Sequence, residues 1–107
     1  MAMSYGMDFV GGFTYAGAGA LAAALCIMKE AEKDGSRLLG KPETGERAVY
    51  FKTRNNAPAS LWLPTLVVLK QMAETAVAGH VDASFFGDYE ERYRIHHMTA
   101  PEPFRAP

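Results

Sequence analysis

The sequence predicts a mainly α fold made of one transmembrane helix, one amphipathic or interfacial helix and an extended C-terminal tail, without an independent globular core. Two observations lead to this fold class. The 20 residues from 9 to 28 carry no charged side chain, and nearly all Lys, Arg, Glu and Asp residues of the 107-residue chain follow them. A soluble domain usually mixes apolar and charged residues along each helix, so this segregation favours a membrane span.

The run from 9 to 28 has the length of a membrane span. As a helix it measures about 30 Å, which is the thickness of the hydrocarbon core of a bilayer. Only Thr14 and Tyr15 within it carry polar side-chain atoms, so the polar stripe of a surface helix is missing. Because much of the run is Ala and Gly, a helix buried inside a soluble protein is the alternative interpretation.

Small residues recur along this segment and predict a helix-packing surface. Short side chains let a second helix approach closely, so that van der Waals contacts accumulate. The opposing interpretation is that Gly and Ala are simply common in membrane helices. The predicted helix-packing residues are Gly12, Ala16, Gly19, Ala20, Ala23 and Ala24.

The flanking charges predict an orientation. No basic residue precedes the run, whereas Lys29, Lys33, Arg37 and Lys41 follow it. The positive-inside rule therefore places the N-terminus outside and residues 29–107 inside, which in a mitochondrion is the matrix.

The rest of the chain is predicted to lie on the membrane or on partner proteins. A helix from 60 to 79 begins with an apolar half too short to span a bilayer, so it lies at the interface, with Trp62 at headgroup level, or packs on a partner. A full second span is a further alternative. The predicted organisation is an N-terminal segment and transmembrane helix with a charged stem (1–34), a loop (35–59), an amphipathic helix (60–79) and an extended partner-binding tail (80–107).

Aromatic residues in the tail predict an anchor on a partner protein. Aromatic side chains bury large areas and often carry the binding energy of interfaces. Truncation after Gly79 is therefore expected to leave membrane insertion intact and to weaken assembly. The predicted partner-binding residues are Phe85, Phe86, Tyr89, Tyr93 and Phe104.

The sequence offers no catalytic, metal or cofactor motif. Adjacent His96 and His97 point to different faces of a helix, and no Cys, Asp or Glu lies at a metal-ligand spacing beside them. The single cysteine, Cys26, excludes an internal disulfide. A net charge of −1 gives no basic footprint for nucleic acid. We therefore expect a protein that is not an enzyme, with no cofactor and no nucleic-acid partner.

The arrangement of an apolar span, a charged stem and an aromatic tail resembles the small single-span accessory (supernumerary) subunits of mitochondrial respiratory-chain complexes or ATP synthase. The resemblance implies a non-catalytic subunit that helps assemble or stabilise such a complex. Its partners would be other membrane subunits and lipid. Its place would be the mitochondrial inner membrane, with the N-terminus in the intermembrane space and the C-terminus in the matrix. The alternatives are a small photosystem subunit of the thylakoid membrane and a small soluble binding protein built around a buried Gly/Ala-rich helix.

Overall fold

The computed structural model describes residues 4–32, 39–87, 90–98 and 102–103, and these form an α+β fold. Two helices cover one face of an antiparallel sheet. The elements in chain order are β1 (Ser4–Thr14), α1 (Ala18–Glu32), β2 (Glu43–Thr44), β3 (Ala48–Pro58), a 3₁₀ turn (Ala59–Leu61), α2 (Trp62–Glu74), β4 (Ala78–Phe86), β5 (Glu90–His96) and β6 (Glu102–Pro103).

The first strand lies in the middle of the sheet. The strand order is β2-β3-β1-β4-β5-β6, and all neighbouring strands are antiparallel. β1 pairs with β3 from Ser4 opposite Pro58 to Thr14 opposite Ala48, and with β4 from Gly6 opposite Phe86 to Thr14 opposite Ala78. The α2 connection therefore passes from one side of β1 to the other.

The predicted transmembrane helix is wrong. Residues 9–14 belong to β1, and α1 begins only at Ala18 and has 15 residues. Within the described ranges, neither helix combines the length and the apolarity needed to cross a membrane. The run lacks charge because a central strand and a packed helix follow each other directly, and both bury apolar side chains.

Several predictions depended on that span and are wrong with it. They are the mainly α fold class, the resemblance to single-span accessory subunits and the function as a membrane subunit of a respiratory complex, ATP synthase or photosystem. The mitochondrial inner-membrane and thylakoid localisations, with the orientation derived from the basic flank, are wrong for the same reason. The α+β fold agrees better with the alternative of a small binding protein, although its apolar run supplies a strand as well as a helix.

A single hydrophobic core lies between the sheet and the helices, so the expectation of no globular core is wrong. Alternate residues of each long strand face the helices, which is the period-two pattern of a sheet with one covered face. The helices contribute one apolar stripe each. The largest fully buried side chains are Tyr15, Phe9, Phe13, Phe85, Met7, Leu69, Met72, Ile95, Val49 and Val81.

The C-terminal region is part of this core and not an extended tail. β4 and β5 pair from Phe86 opposite Glu90 to His80 opposite His96. The residues Val81, Phe85 and Ile95 of these strands are at most 2% exposed. The predicted helix over 60–79 is observed as the shorter α2, because the chain enters β4 at Ala78.

Two side-chain hydrogen bonds fix α2 on the sheet. The Tyr15 hydroxyl, at the end of β1, donates to the backbone carbonyl of Met72 at 2.8 Å. The Trp62 indole Nε1 donates to Glu91 Oε2 at 2.9 Å, and Tyr93 donates to the other oxygen of the same carboxylate at 3.0 Å. One bond lies near each end of α2, so both ends are held.

Candidate functional site

The outer surface of the two helices carries an uncharged patch, which we call the helical face. A helix on the surface of a monomer normally turns charged and polar residues toward water. Leu63 and Val67 are instead 68% and 52% exposed. The helical face consists of the exposed residues Ala18, Gly19, Ala22, Ala23 and Cys26 of α1, with Leu63, Pro64 and Val67 of α2.

The composition of α1 explains its half of the helical face. The side toward the sheet buries Leu21, Ala24 and Met28. The opposite side carries only methyl groups, glycine and one thiol until Lys29 and Glu30 near the end of the helix. Up to Met28 the helix is therefore apolar on all sides although one side is exposed, which is the pattern of a helix with neighbours on both sides.

The helices run in opposite directions, so their apolar halves are offset along the helical layer. α1 starts at the end of the sheet where β1 ends, and α2 starts at the opposite end, where β3 ends. The first half of α2 exposes Leu63 and Val67, and its second half exposes Lys70 and Glu74. Each end of the helical layer therefore carries charged residues of one helix beside apolar residues of the other, and the two apolar halves adjoin only in the middle of the layer.

The opposite side of the sheet, which we call the open face, carries two arginine–aspartate ion pairs beside exposed Val10 and Tyr50. Arg54 forms two hydrogen bonds to Asp8, at 3.0 and 3.2 Å. Arg94 forms two to Asp82, at 2.7 and 3.2 Å. The hydrogen bond to Asp8 raises the pKa of Arg54, and the hydrogen bond to Asp82 raises that of Arg94, so both guanidinium groups stay charged. An antiparallel sheet commonly presents such a face to water.

All three histidines of the chain lie at one corner of the sheet. His80 of β4 and His96 of β5 are directly opposite each other on the open face, with ring centroids 5.9 Å apart. The backbone N–H of His97 donates to the Gly79 carbonyl at 3.1 Å, and its Nδ1 lies 3.2 Å from the same oxygen. No group of three or more His, Cys, Asp or Glu side chains in the described part of the chain is arranged to hold a metal ion.

The predicted helix-packing residues lie in different parts of the structure. Gly12 lies in β1 and Ala24 is buried in the core. Ala20 is half-buried, and Ala16 is exposed in the turn before α1. Gly19 and Ala23 lie on the helical face, so two of the six are brought together there. Their role in packing against another helix stays a prediction.

The other predicted residues lie in or beside the core. Phe85 is buried, and Phe86 and Tyr93 are half-buried in the β4–β5 hairpin. Tyr89 and Phe104 lie outside the described residues. Trp62, which was predicted at a membrane interface, is 3% exposed and packs against Phe85 with ring centroids 5.5 Å apart.

Sequence reasoning did not identify Leu63, Val67 or His80 as site residues. Leu63 and Val67 lie in a continuous apolar stretch, where no polar neighbour marks the outward side. His80 gains its partner only through the register of β4 and β5. Comparison of the chain with protein-family models, curated proteins and solved structures finds no match.

Proposed function

We propose that this chain is a non-catalytic protein-binding domain that associates with a second copy of itself through the helical face. The observation that carries the proposal is the exposure of Leu63 and Val67 beside α1, whose exposed residues before Lys29 carry no charge. Contiguous exposed apolar patches commonly mark protein interaction sites. Burying this patch in a dimer would give α1 the apolar surroundings that its composition suits.

The helical face combines protruding and short side chains, which suits pairing with a copy of itself. Leu63 and Val67 protrude from α2, whereas the short side chains of Gly19, Ala22 and Ala23 give α1 a flat surface. A two-fold axis presents the same patch from both subunits, so the large residues of one copy can pack on the small residues of the other. Gly and Ala also allow close approach of helix backbones.

The charges around the helical face are compatible with such a dimer. Lys29 and Glu30 flank it at the end of α1, and Lys70 and Glu74 flank it on α2. Each end of the helical layer thus has both signs of charge. A rim of mixed sign does not repel a copy of itself, and it leaves the uncharged centre to be buried.

The open-face aspartates have a structural role in the sheet. Asp8 and Asp82 each accept two hydrogen bonds from an arginine on the neighbouring strand. These carboxylates therefore stabilise neighbouring strands across the sheet.

Analytical ultracentrifugation of matched variants tests the proposal. Val67 on the helical face and Val10 on the open face are both 52% exposed, so Val67→Glu and Val10→Glu introduce the same charge at equal exposure on opposite sides. We expect wild type and Val10→Glu to sediment as dimers, and Val67→Glu to weaken dimerisation by about tenfold or more, because a buried unpaired charge is costly. Circular dichroism checks that both variants fold.

Two results would contradict the proposal. A wild-type chain that sediments as a monomer at all concentrations excludes self-association. Dissociation caused by Val10→Glu but not by Val67→Glu would assign the interface to the open face.

A further inference from the structure

We infer that His80 and His96 form a two-histidine binding site for a late first-row divalent metal ion such as Zn²⁺ or Cu²⁺. The two residues are directly opposite each other in β4 and β5, and their side chains are on the open face. This site is separate from the helical face, so the inference does not depend on dimerisation. Imidazole nitrogen is a preferred ligand of Zn²⁺, Cu²⁺ and Ni²⁺.

The separation of the rings fits a shared ion. Zinc binds imidazole nitrogen at about 2.0–2.1 Å, which places the centroids of two rings on one tetrahedral ion about 5 Å apart. The observed centroids are 5.9 Å apart with ring planes 55° from each other. His80 is exposed and His96 is half-buried, so a small rotation of the side chains closes the remaining distance.

The backbone at this corner is held in place, which lowers the cost of bringing the two ligands together. The His97 N–H donates to the Gly79 carbonyl at 3.1 Å. This bond extends the hydrogen bonding between β4 and β5 by one residue beyond His80 and His96. The Met98 N–H donates to the Ala73 carbonyl at 2.7 Å and ties the end of β5 to α2. Gly79 has φ +100°, and a side chain there would meet the Gly12 carbonyl, so glycine permits the close approach of β4 to β1.

One ion pair lies beside the two histidines in the described part of the chain. Asp82 lies on the same face of β4, two residues beyond His80, and is held by Arg94 in two hydrogen bonds. The carboxylate and the guanidinium neutralise each other, so among these described residues the two imidazoles are the ligands for the ion. Water or a further ligand would occupy the remaining positions on the ion, as in an open site. Bound metal would therefore be exchangeable.

Isothermal titration calorimetry with ZnCl₂ and with CuCl₂ at neutral pH tests this site. We expect one ion per chain for wild type. His80→Gln and His96→Gln should each weaken binding by at least about tenfold, the loss that removing even an outer-shell partner of a ligand produces. His97→Gln is the matched control, because it removes the adjacent imidazole and leaves the opposed pair intact.

Thermal unfolding gives a second measurement on the same variants. An ion bound only by the folded chain raises the midpoint of unfolding. Zn²⁺ should therefore raise the midpoint of wild type and His97→Gln but not of His80→Gln. Absence of binding to wild type, unchanged binding by His80→Gln, or equal loss in His97→Gln would each overturn the site.

Discussion

The hydroxyl group of Tyr15 is the buried polar group that links β1 to α2. It donates to the Met72 carbonyl at 2.8 Å, and Tyr15 has no exposed surface. Met72 lies in the last turn of α2, where backbone carbonyls lack helical partners. The side chain thus satisfies a carbonyl that would otherwise be buried and unpaired.

Replacement of Tyr15 by Phe removes this bond and keeps the ring. We expect Tyr15→Phe to lower the free energy of unfolding by about 0.5–1.5 kcal/mol at neutral pH, the usual net contribution of one hydrogen bond. Urea denaturation of both proteins measures the difference. Tyr50→Phe is the control, since Tyr50 is 53% exposed and its change should have little effect.

The difference between Tyr15→Phe and wild type should also depend on pH. Burial raises the pKa of Tyr15 from 10.0 to about 12 in the folded chain. Between these values the unfolded chain loses the phenolic proton while the folded chain keeps it, so the contribution of Tyr15 to stability is complete below pH 10 and is lost as pH rises toward 12. The advantage of wild type should shrink over that interval, and a constant difference would contradict the assignment.

At the scale of elements, Trp62 joins the start of α2 to β5. Its indole N–H donates to Glu91 at 2.9 Å, and its ring packs on Phe9 and Phe85 with centroids 6.1 and 5.5 Å away. Trp62→Phe keeps most of the packing and removes the hydrogen bond. We expect a loss of about 1–2 kcal/mol in the free energy of unfolding, because the acceptor is a carboxylate.

A double-mutant cycle separates the hydrogen bond from the packing. Trp62→Phe combined with Glu91→Ala should give a coupling energy of about 1 kcal/mol, because each change removes one partner of the shared bond. Trp62→Phe combined with Glu43→Ala on β2 should be additive. Additivity in both pairs would show that the indole contributes only by packing.

The elements differ in how far the sequence predicts them. A helix in the region of α2 is predicted because its second half alternates polar and apolar residues at helical spacing. β1 is not predicted from the sequence, because its outward positions include Gly6, Val10 and Gly12. Polar residues therefore do not alternate with the buried ones. Without that alternation, the strand and α1 merge into a single apolar run.

The candidate site is predictable only in part for the same reason. Gly19 and Ala23 are predicted as packing residues, since small residues at helical spacing mark a close-packing ridge. Leu63 and Val67 are not, because the first half of α2 is apolar on both sides. The opposition of His80 and His96 depends on pairing between strands, which a local pattern does not specify.

At the scale of the whole molecule, truncation after Gly79 should unfold the chain, because β4 pairs with the central strand β1. Removal of residues 80–107 deletes a direct neighbour of the central strand together with buried Val81, Phe85 and Ile95. We expect this variant to lose cooperative thermal unfolding, measured by circular dichroism. Removal of residues 99–107 is the control, because the pairing described for this segment is two residues of β6, at the edge of the sheet, opposite Tyr93 and Arg94. A cooperative transition in the chain ending at Gly79 would contradict the fold.

The central place of β1 has a consequence for biosynthesis. β1 leaves the ribosome before its partners, which end only at residues 58 and 86. At about 5–20 residues per second, the apolar segment from 9 to 28 stays uncovered for several seconds while the rest of the chain is translated. Pairing of such distant segments is also slow, because long loops must close first. The nascent chain therefore exposes an uncharged stretch to which a chaperone can bind, and folding covers the β1 part of that stretch.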